Sequence, residues 1–109
     1  MARASEFRIV LVTCGSRAEA RKIAKALVEK RLAACVNLFS APVESVYRWK
    51  GAVEKAREWL LMIKTSGKQL KKLEEEVKRL HSYETPEFLV VGVAGGSKEY
   101  LSWLGESLG

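Results

Sequence analysis

Phe7-Arg8-Ile9-Val10-Leu11-Val12-Thr13, followed at once by Cys14-Gly15 and then by Ser16-Arg17-Ala18-Glu19, is the stretch on which the fold turns. Its first seven residues are rich in β-branched and apolar side chains and predict a strand buried on both faces over most of its length. Gly15 ends the run. Ser16 and Glu19 match a capping box, in which Ser16 accepts from an early backbone N–H and Glu19 reaches back. The helix that follows runs to about Arg31. Ala20, Ile23, Ala24, Leu27 and Val28 form its apolar stripe, and Arg21, Lys22, Lys25 and Glu29 face water.

Downstream, residues 33–49 form a long extended segment, with Pro42 inside it marking an edge strand with a bulge or kink. Lys50-Gly51 supplies a turn, and residues 53–65 return as another strand centred on Leu60-Leu61-Met62-Ile63. This hairpin is longer than one small core needs, and unpaired strand edges invite a partner. A second helix covers about 68–81, with Leu70, Leu73, Val77 and Leu80 on one stripe. Glu74 with Lys78, and Glu75 with Arg79, stand at i,i+4 spacing. Ser82 to Pro86 is a loop, Glu87 to Ala94 a last strand, and Lys98 to Leu108 a short third helix. The order βαββαβ plus a helix predicts an α+β, ferredoxin-like antiparallel sheet of order 4-1-3-2, with an extended β-hairpin and a C-terminal helix. One domain takes in the whole of 1–109.

Composition narrows the function classes. A chain of 109 residues, 48% hydrophobic and 29% charged, can build a core without a disulfide scaffold. No apolar run approaches the ~18 residues of a membrane span, and Met1 to Phe7 lacks an apolar signal region, so the expected compartment is the cytoplasm. Cys14 and Cys35 form no C-x-x-C pair, and the single histidine, His81, excludes an all-histidine metal site within one chain. The net charge of +6 is interleaved with acids, as in Lys71-Lys72-Leu73-Glu74-Glu75-Glu76-Val77-Lys78-Arg79, which reads as a solvated face. Ile9, Leu11, Leu61 and Ile63 dominate the central strands where an RNA-binding sheet would carry aromatics. No nucleic-acid or membrane partner is expected, and no nucleophile–base pair points to an enzyme.

The predicted topology places Thr13-Cys14-Gly15 beside the start of the last strand, at the same end as the 81–87 loop and the first helix's N-terminus. Cys35 falls at the opposite end, too far for a Cys14–Cys35 bridge.

Five segments occur in order: Leu32-Ala33-Ala34-Cys35-Val36-Asn37, Ser45-Val46-Tyr47-Arg48-Trp49-Lys50-Gly51, Ile63-Lys64-Thr65, His81-Ser82-Tyr83-Glu84-Thr85-Pro86-Glu87 and Tyr100-Leu101-Ser102-Trp103-Leu104. Together they resemble the CutA family of divalent-cation-tolerance proteins, from about Phe7 onward. The resemblance implies a tight homotrimer on the PII-like plan, with the hairpin arms pairing between subunits. It also implies Cu2+ or another divalent metal as ligand. His81 falls on the family's histidine and offers an imidazole suited to copper or zinc; as a plain residue it caps the second helix. Cys14 is a second metal candidate, its thiolate favoured by the nearby helix N-terminus, or else a small buried hydrophobe. Copper-associated members place the cysteine just before the threonine, where this chain has Val12, and a second histidine where it has Leu80. Glu87 is the third candidate ligand, as an oxygen donor. Tyr83, Glu84 and Glu87 are expected to line an inter-subunit cleft with Trp49 and Lys64. Trp49 and Trp59 read as interface or core anchors, Cys35 as core, and Glu54-Lys55-Ala56-Arg57-Glu58 as a run of inter-subunit ion pairs. The alternative function is a PII-like sensor binding a small anion in the clefts, favoured by Gly15-Ser16, Lys64 and the basic surplus.

Overall fold

The structure, a computed structural model, describes residues 2–109. Strand β1, Phe7–Cys14, lies at the centre. On one side it pairs with the long strand β4, Ala52–Ser66, in a register running from Phe7 opposite Ser66 to Cys14 opposite Trp59. On the other side it pairs with β5, Leu89–Gly92, with Leu11 opposite Leu89. The inner half of β4 also pairs with β2, Cys35–Leu38, and its outer half with β3, Val43–Trp49. The order is β2-β4-β1-β5, with β3 extending from β4. Counted as four strands, this is the predicted 4-1-3-2 order. The long second strand is split at residues 39–42, where Pro42 can donate no ladder hydrogen bond.

Helices α1, Arg17–Glu29, and α2, Leu70–Leu80, cover one face of the sheet. Val10, Val12, Cys14, Leu61 and Ile63 point into that layer and meet Ala20, Ile23, Leu27, Leu73 and Val77, all at 0% exposure. The α1 stripe is narrower than its periodicity suggests, since Val28 is 42% exposed. Alternation sends Phe7, Ile9 and Leu11 to the opposite face. There α3, Lys98–Ser107, buries Leu101 and Leu104 against Phe7 and Ala34. That helix is too short to cover the rest. Ile9, Leu11, Leu60 and Met62 stay half-buried, and Leu89 and Val91 are exposed. The two-sided burial expected of the first strand is therefore complete on the α1/α2 face only.

Two local expectations change. Ser16 Oγ does accept from the Glu19 N–H at 3.1 Å, but the Glu19 carboxylate accepts from the Ser82 N–H instead of returning to the cap. Glu74–Lys78 forms at 2.9 Å, whereas Arg79 passes over Glu75 and forks onto Glu76. Glu76 is 8% exposed and also receives Lys30 from α1, so two basic groups converge on a carboxylate that has lost most of its water.

The hairpin closes through Lys50 at φ 50° and Gly51 at φ 83°. Two successive residues with positive φ make the type I′ turn that matches strand twist. The β3/β4 arm stretches the molecule to 48 × 26 × 25 Å.

Candidate functional site at the end of the first strand

The end of β1 and the 81–87 loop meet as predicted. His81 follows α2 directly, and its backbone N–H closes the helix on Val77. Its ring does not cap the helix but turns to the sheet. There Nε2 donates to the Thr13 carbonyl at 2.8 Å, and Nδ1 accepts from the Tyr83 N–H at 3.1 Å. A carbonyl can only accept, so the proton sits on Nε2 and the Nδ1 lone pair takes the Tyr83 N–H. The His81 side chain has no solvent exposure.

Nδ1 looks toward Glu19 of α1, whose Oε2 is 3.6 Å away. That oxygen is buried and has no hydrogen-bond partner, while Oε1 is held by the Ser82 N–H. Cys14, at the last position of β1, points to the same spot. A sulfur, a carboxylate oxygen and an imidazole nitrogen thus lie within 4.8 Å of one another, the one such ligand set among the described residues. Burial pushes the Cys14 thiol up to about 12, with the charges of Glu19 and Glu58 adding to the effect. The thiolate stabilisation expected from the helix N-terminus is outweighed, and at neutral pH Cys14 is a thiol. Both cysteines are free.

Glu87 does not join this set. It stands two residues before Leu89, which pairs with Leu11, so alternation gives it the side of Leu11 and Thr13, whereas Cys14 faces the helices. It lines a cavity of ≈ 520 Å³ on that other side, bounded by Tyr47, Trp49, Glu58, Tyr83 and Glu84 among others. Tyr83, Glu84, Glu87 and Trp49, expected to line an inter-subunit cleft, line one cavity of this chain. Lys64 lies outside it, with Nζ 3.3 Å from the Tyr100 hydroxyl and 5.6 Å from the ring centre. The cavity's charged lining is acidic, and this opposes the small anion expected there.

Tyr83 joins the two places. Its backbone N–H serves His81, its ring lies 4.8 Å from the imidazole, and its hydroxyl donates to Glu58 Oε2 at 2.9 Å. Burial first, and then the Glu58 bond, hold the phenol above its ordinary range. Glu87 is raised as well, by burial and then by the Glu58 charge. Glu58 itself is 7% exposed. Sequence reasoning passed over two acids that the structure brings to these places. Glu19 was absorbed by the capping box, and Glu58 by the mixed-charge run of the hairpin. Strand alternation could have found Glu58, since it shares a face of the arm with Ser45, Tyr47 and Trp49.

A split βαβ sheet with an over-long hairpin defines a ferredoxin-like α+β protein, here with a candidate Cys/Glu/His ligand set under its first helix. Residues 8–107 match the family described as CutA1 divalent ion tolerance protein. The chain belongs to that family, which gives it a general role in divalent-cation tolerance. It is 50% identical over 101 residues to the divalent-cation tolerance protein CutA of Thermus thermophilus, covering 93% of this chain and 97% of that one. The solved structure of that species' Cut A1 protein superposes with a TM-score of 0.92 at 48% identity, covering 94% and 99% of the two chains. The CutA structure from Archaeoglobus fulgidus, described as periplasmic, gives 0.89 at 40% identity, with 93% and 97% covered.

Proposed function

We propose that the chain works as a homotrimeric binding protein for a divalent metal ion, copper(II) foremost, held by Cys14, Glu19 and His81. The unpartnered Glu19 Oε2 carries this reading. A buried carboxylate oxygen 3.6 Å from an unprotonated imidazole nitrogen lacks a positive partner, and a metal ion that takes the place of the Tyr83 N–H on that nitrogen supplies one. The donor set of sulfur, nitrogen and oxygen suits copper or zinc better than calcium or magnesium. His81 Nε2–H on the Thr13 carbonyl is the outer bond that orients a metal-ligating imidazole. Cys14 would release its proton on binding, so affinity rises with pH. The bound ion would supply charge neutralisation at the buried acid, and no catalytic step is assigned to it.

The open sheet face of Ile9, Leu11, Met62, Leu89 and Val91 supports self-assembly. So do Val46 and Val53 of the arm, 61% and 65% exposed, and the free edge of β5. No helix among the described residues is long and apolar enough to cross a membrane. Two free cysteines suit a reducing compartment, which supports the cytoplasm.

Calorimetric titration with Cu2+ tests the metal reading, beside Glu19→Gln and Glu87→Gln. Saturable binding near one ion per chain, lost in Glu19→Gln and kept in Glu87→Gln, is expected. Binding insensitive to Glu19 refutes the assignment. Sedimentation equilibrium should give three times the 12.2 kDa of one chain, and a monomer at micromolar concentration refutes the trimer.

A further inference from the structure

The cavity beyond Thr13 has no role in the metal reading. It is bounded by Thr13, by Ser45, Tyr47 and Trp49 of β3, by Glu58 of β4, and by the 83–87 loop. At ≈ 520 Å³ it falls within the size range of small-molecule sites. Three observations define what it would accept. First, Glu58, Glu84 and Glu87 line it and no lysine or arginine does. Lys50 stands at the rim, its Nζ 5.7 Å from the Trp49 ring centre, and Lys64 is held by Tyr100 outside the cavity. Second, Glu58 is more than nine-tenths buried and only half satisfied. Its Oε2 takes the Tyr83 hydroxyl, while Oε1 takes no hydrogen bond from any described residue and belongs to a side chain that lines the cavity. Third, three aromatic rings form the walls, and Tyr47 and Trp49 keep 44% and 43% of their surface open.

We propose that this cavity is a second binding site, for a small organic cation bearing N–H donors: a protonated amine or a guanidinium. The carboxylates of Glu58 and Glu87 accept its N–H groups, and Tyr47, Trp49 and Tyr83 face its charge with their rings. Two alternatives fit less well. An anion meets three carboxylates. A bare metal ion needs at least three converging ligands, and among the described residues only Cys14, Glu19 and His81 converge so; a hydrated ion would also leave the aromatic walls unused. Glu58 and Glu87 line the same cavity, and burial together with the Glu58 charge raises Glu87 above the ordinary carboxylate range. Such an arrangement disfavours the free state and favours whatever neutralises it. This proposal stands apart from the Cys14/Glu19/His81 site and survives if no metal binds there.

The test is a titration of the full chain, followed by calorimetry and by Tyr and Trp fluorescence. The probes are 1,4-diaminobutane, butylammonium, 1-butanol as the neutral isostere, inorganic phosphate and Mg2+. Expected is saturable binding of the two amines, at least tenfold weaker binding of butanol, and none of phosphate. Glu87→Gln should weaken the amines at least tenfold, because one of the two carboxylates that meet the ammonium group becomes neutral. Absence of saturable amine binding overturns the proposal. So does butanol binding as well as butylammonium, or an affinity unmoved by Glu87→Gln. Saturation by Mg2+ that displaces the amines overturns the choice of an organic cation. The amine–alcohol comparison uses the unaltered protein, so it decides the matter even if a variant folds poorly.

Discussion

Removing one oxygen tests the central contact of the site. In Tyr83→Phe the ring keeps its packing against His81, but Glu58 Oε2 loses the donor at 2.9 Å. Glu58 is 7% exposed, and no other described group donates to it. A hydrogen bond to a charged group contributes about 1.5–3 kcal/mol, and leaving the acceptor buried and bare adds to the loss. Water entering the adjoining cavity recovers part of this, so about 1.5–2 kcal/mol is expected. For a chain of this size that lowers Tm by roughly 6–8 °C, at fixed protomer concentration because assembly contributes to stability. Urea unfolding of the parent, Tyr83→Phe, Glu58→Gln and the double variant closes a thermodynamic cycle. A glutamine still accepts the phenol hydrogen but as a neutral partner, so Tyr83→Phe should cost about 1 kcal/mol in the Glu58→Gln background. A loss below about 0.5 kcal/mol in the parent, or equal losses in both backgrounds, refutes the claim that Tyr83 solvates a buried charge.

Three further outcomes are expected from the same structure. Hydrogen bonds from Arg79 and then Lys30 hold Glu76 at about 2 instead of 4.5. A depressed folded value means that its contribution is full above 4.5 and is lost as the pH falls toward 2. Glu76→Gln should therefore flatten the acid limb of a Tm-against-pH curve in that window, and an unchanged limb refutes the role. With its thiol raised to about 12, Cys14 should resist a thiol-exchange reagent at pH 7.5 until the protein unfolds; labelling of Cys14 in the folded state within minutes would contradict the burial argument. Gly51 sits at φ 83° with no atom near a would-be Cβ, so Gly51→Ala costs backbone strain alone, about 1–2 kcal/mol in thermal unfolding.

Most of the fold was legible in the sequence because each element was marked by its own local chemistry. The β-branched run at 7–13, the Ser16 cap, the Lys50-Gly51 turn and the leucine spacing at 70–80 point to one topology. Once the order βαββαβ is read, the meeting of Thr13 with the 81–87 loop follows from strand direction. The site was less legible, because its ligand set depends on parity and on side-chain reach. Cys14 and Glu87 arrive at the same end of the sheet on opposite faces, and the register of Leu11 opposite Leu89, which the sequence does not give, is needed to tell the faces apart. Glu19 satisfies a local motif on paper, yet its carboxylate is drawn across to Ser82 and His81. Glu58 was hidden by its charged neighbours Lys55 and Arg57, which alternation sends to the other face of the arm. In each case a tertiary contact overrode a pattern that was locally sufficient.

Tyr83 touches both proposed sites, so each can be tested for its effect on the other. A metal ion taking the Nδ1 lone pair of His81 removes the acceptor of the Tyr83 N–H, and the hydroxyl of the same residue supports the Glu58 carboxylate in the cavity. Any adjustment of that backbone amide changes how Glu58 is presented, and a cation on Glu58 changes what Tyr83 must hold. Binding free energies coupled in this way are reciprocal. The ratio by which 1,4-diaminobutane alters Cu2+ affinity must equal the ratio by which Cu2+ alters amine affinity. Gly15 narrows the slack in this link, because a Cβ there would stand 3.0 Å from the Tyr83 hydroxyl. Glycine at that position lets the phenol pass close over the end of β1 to reach Glu58. Gly15→Ala should therefore weaken amine binding by displacing the ring while leaving Cys14, Glu19 and His81 chemically intact. Equal amine affinity in Gly15→Ala and the parent would show that the close passage of Tyr83 plays no part in the cavity.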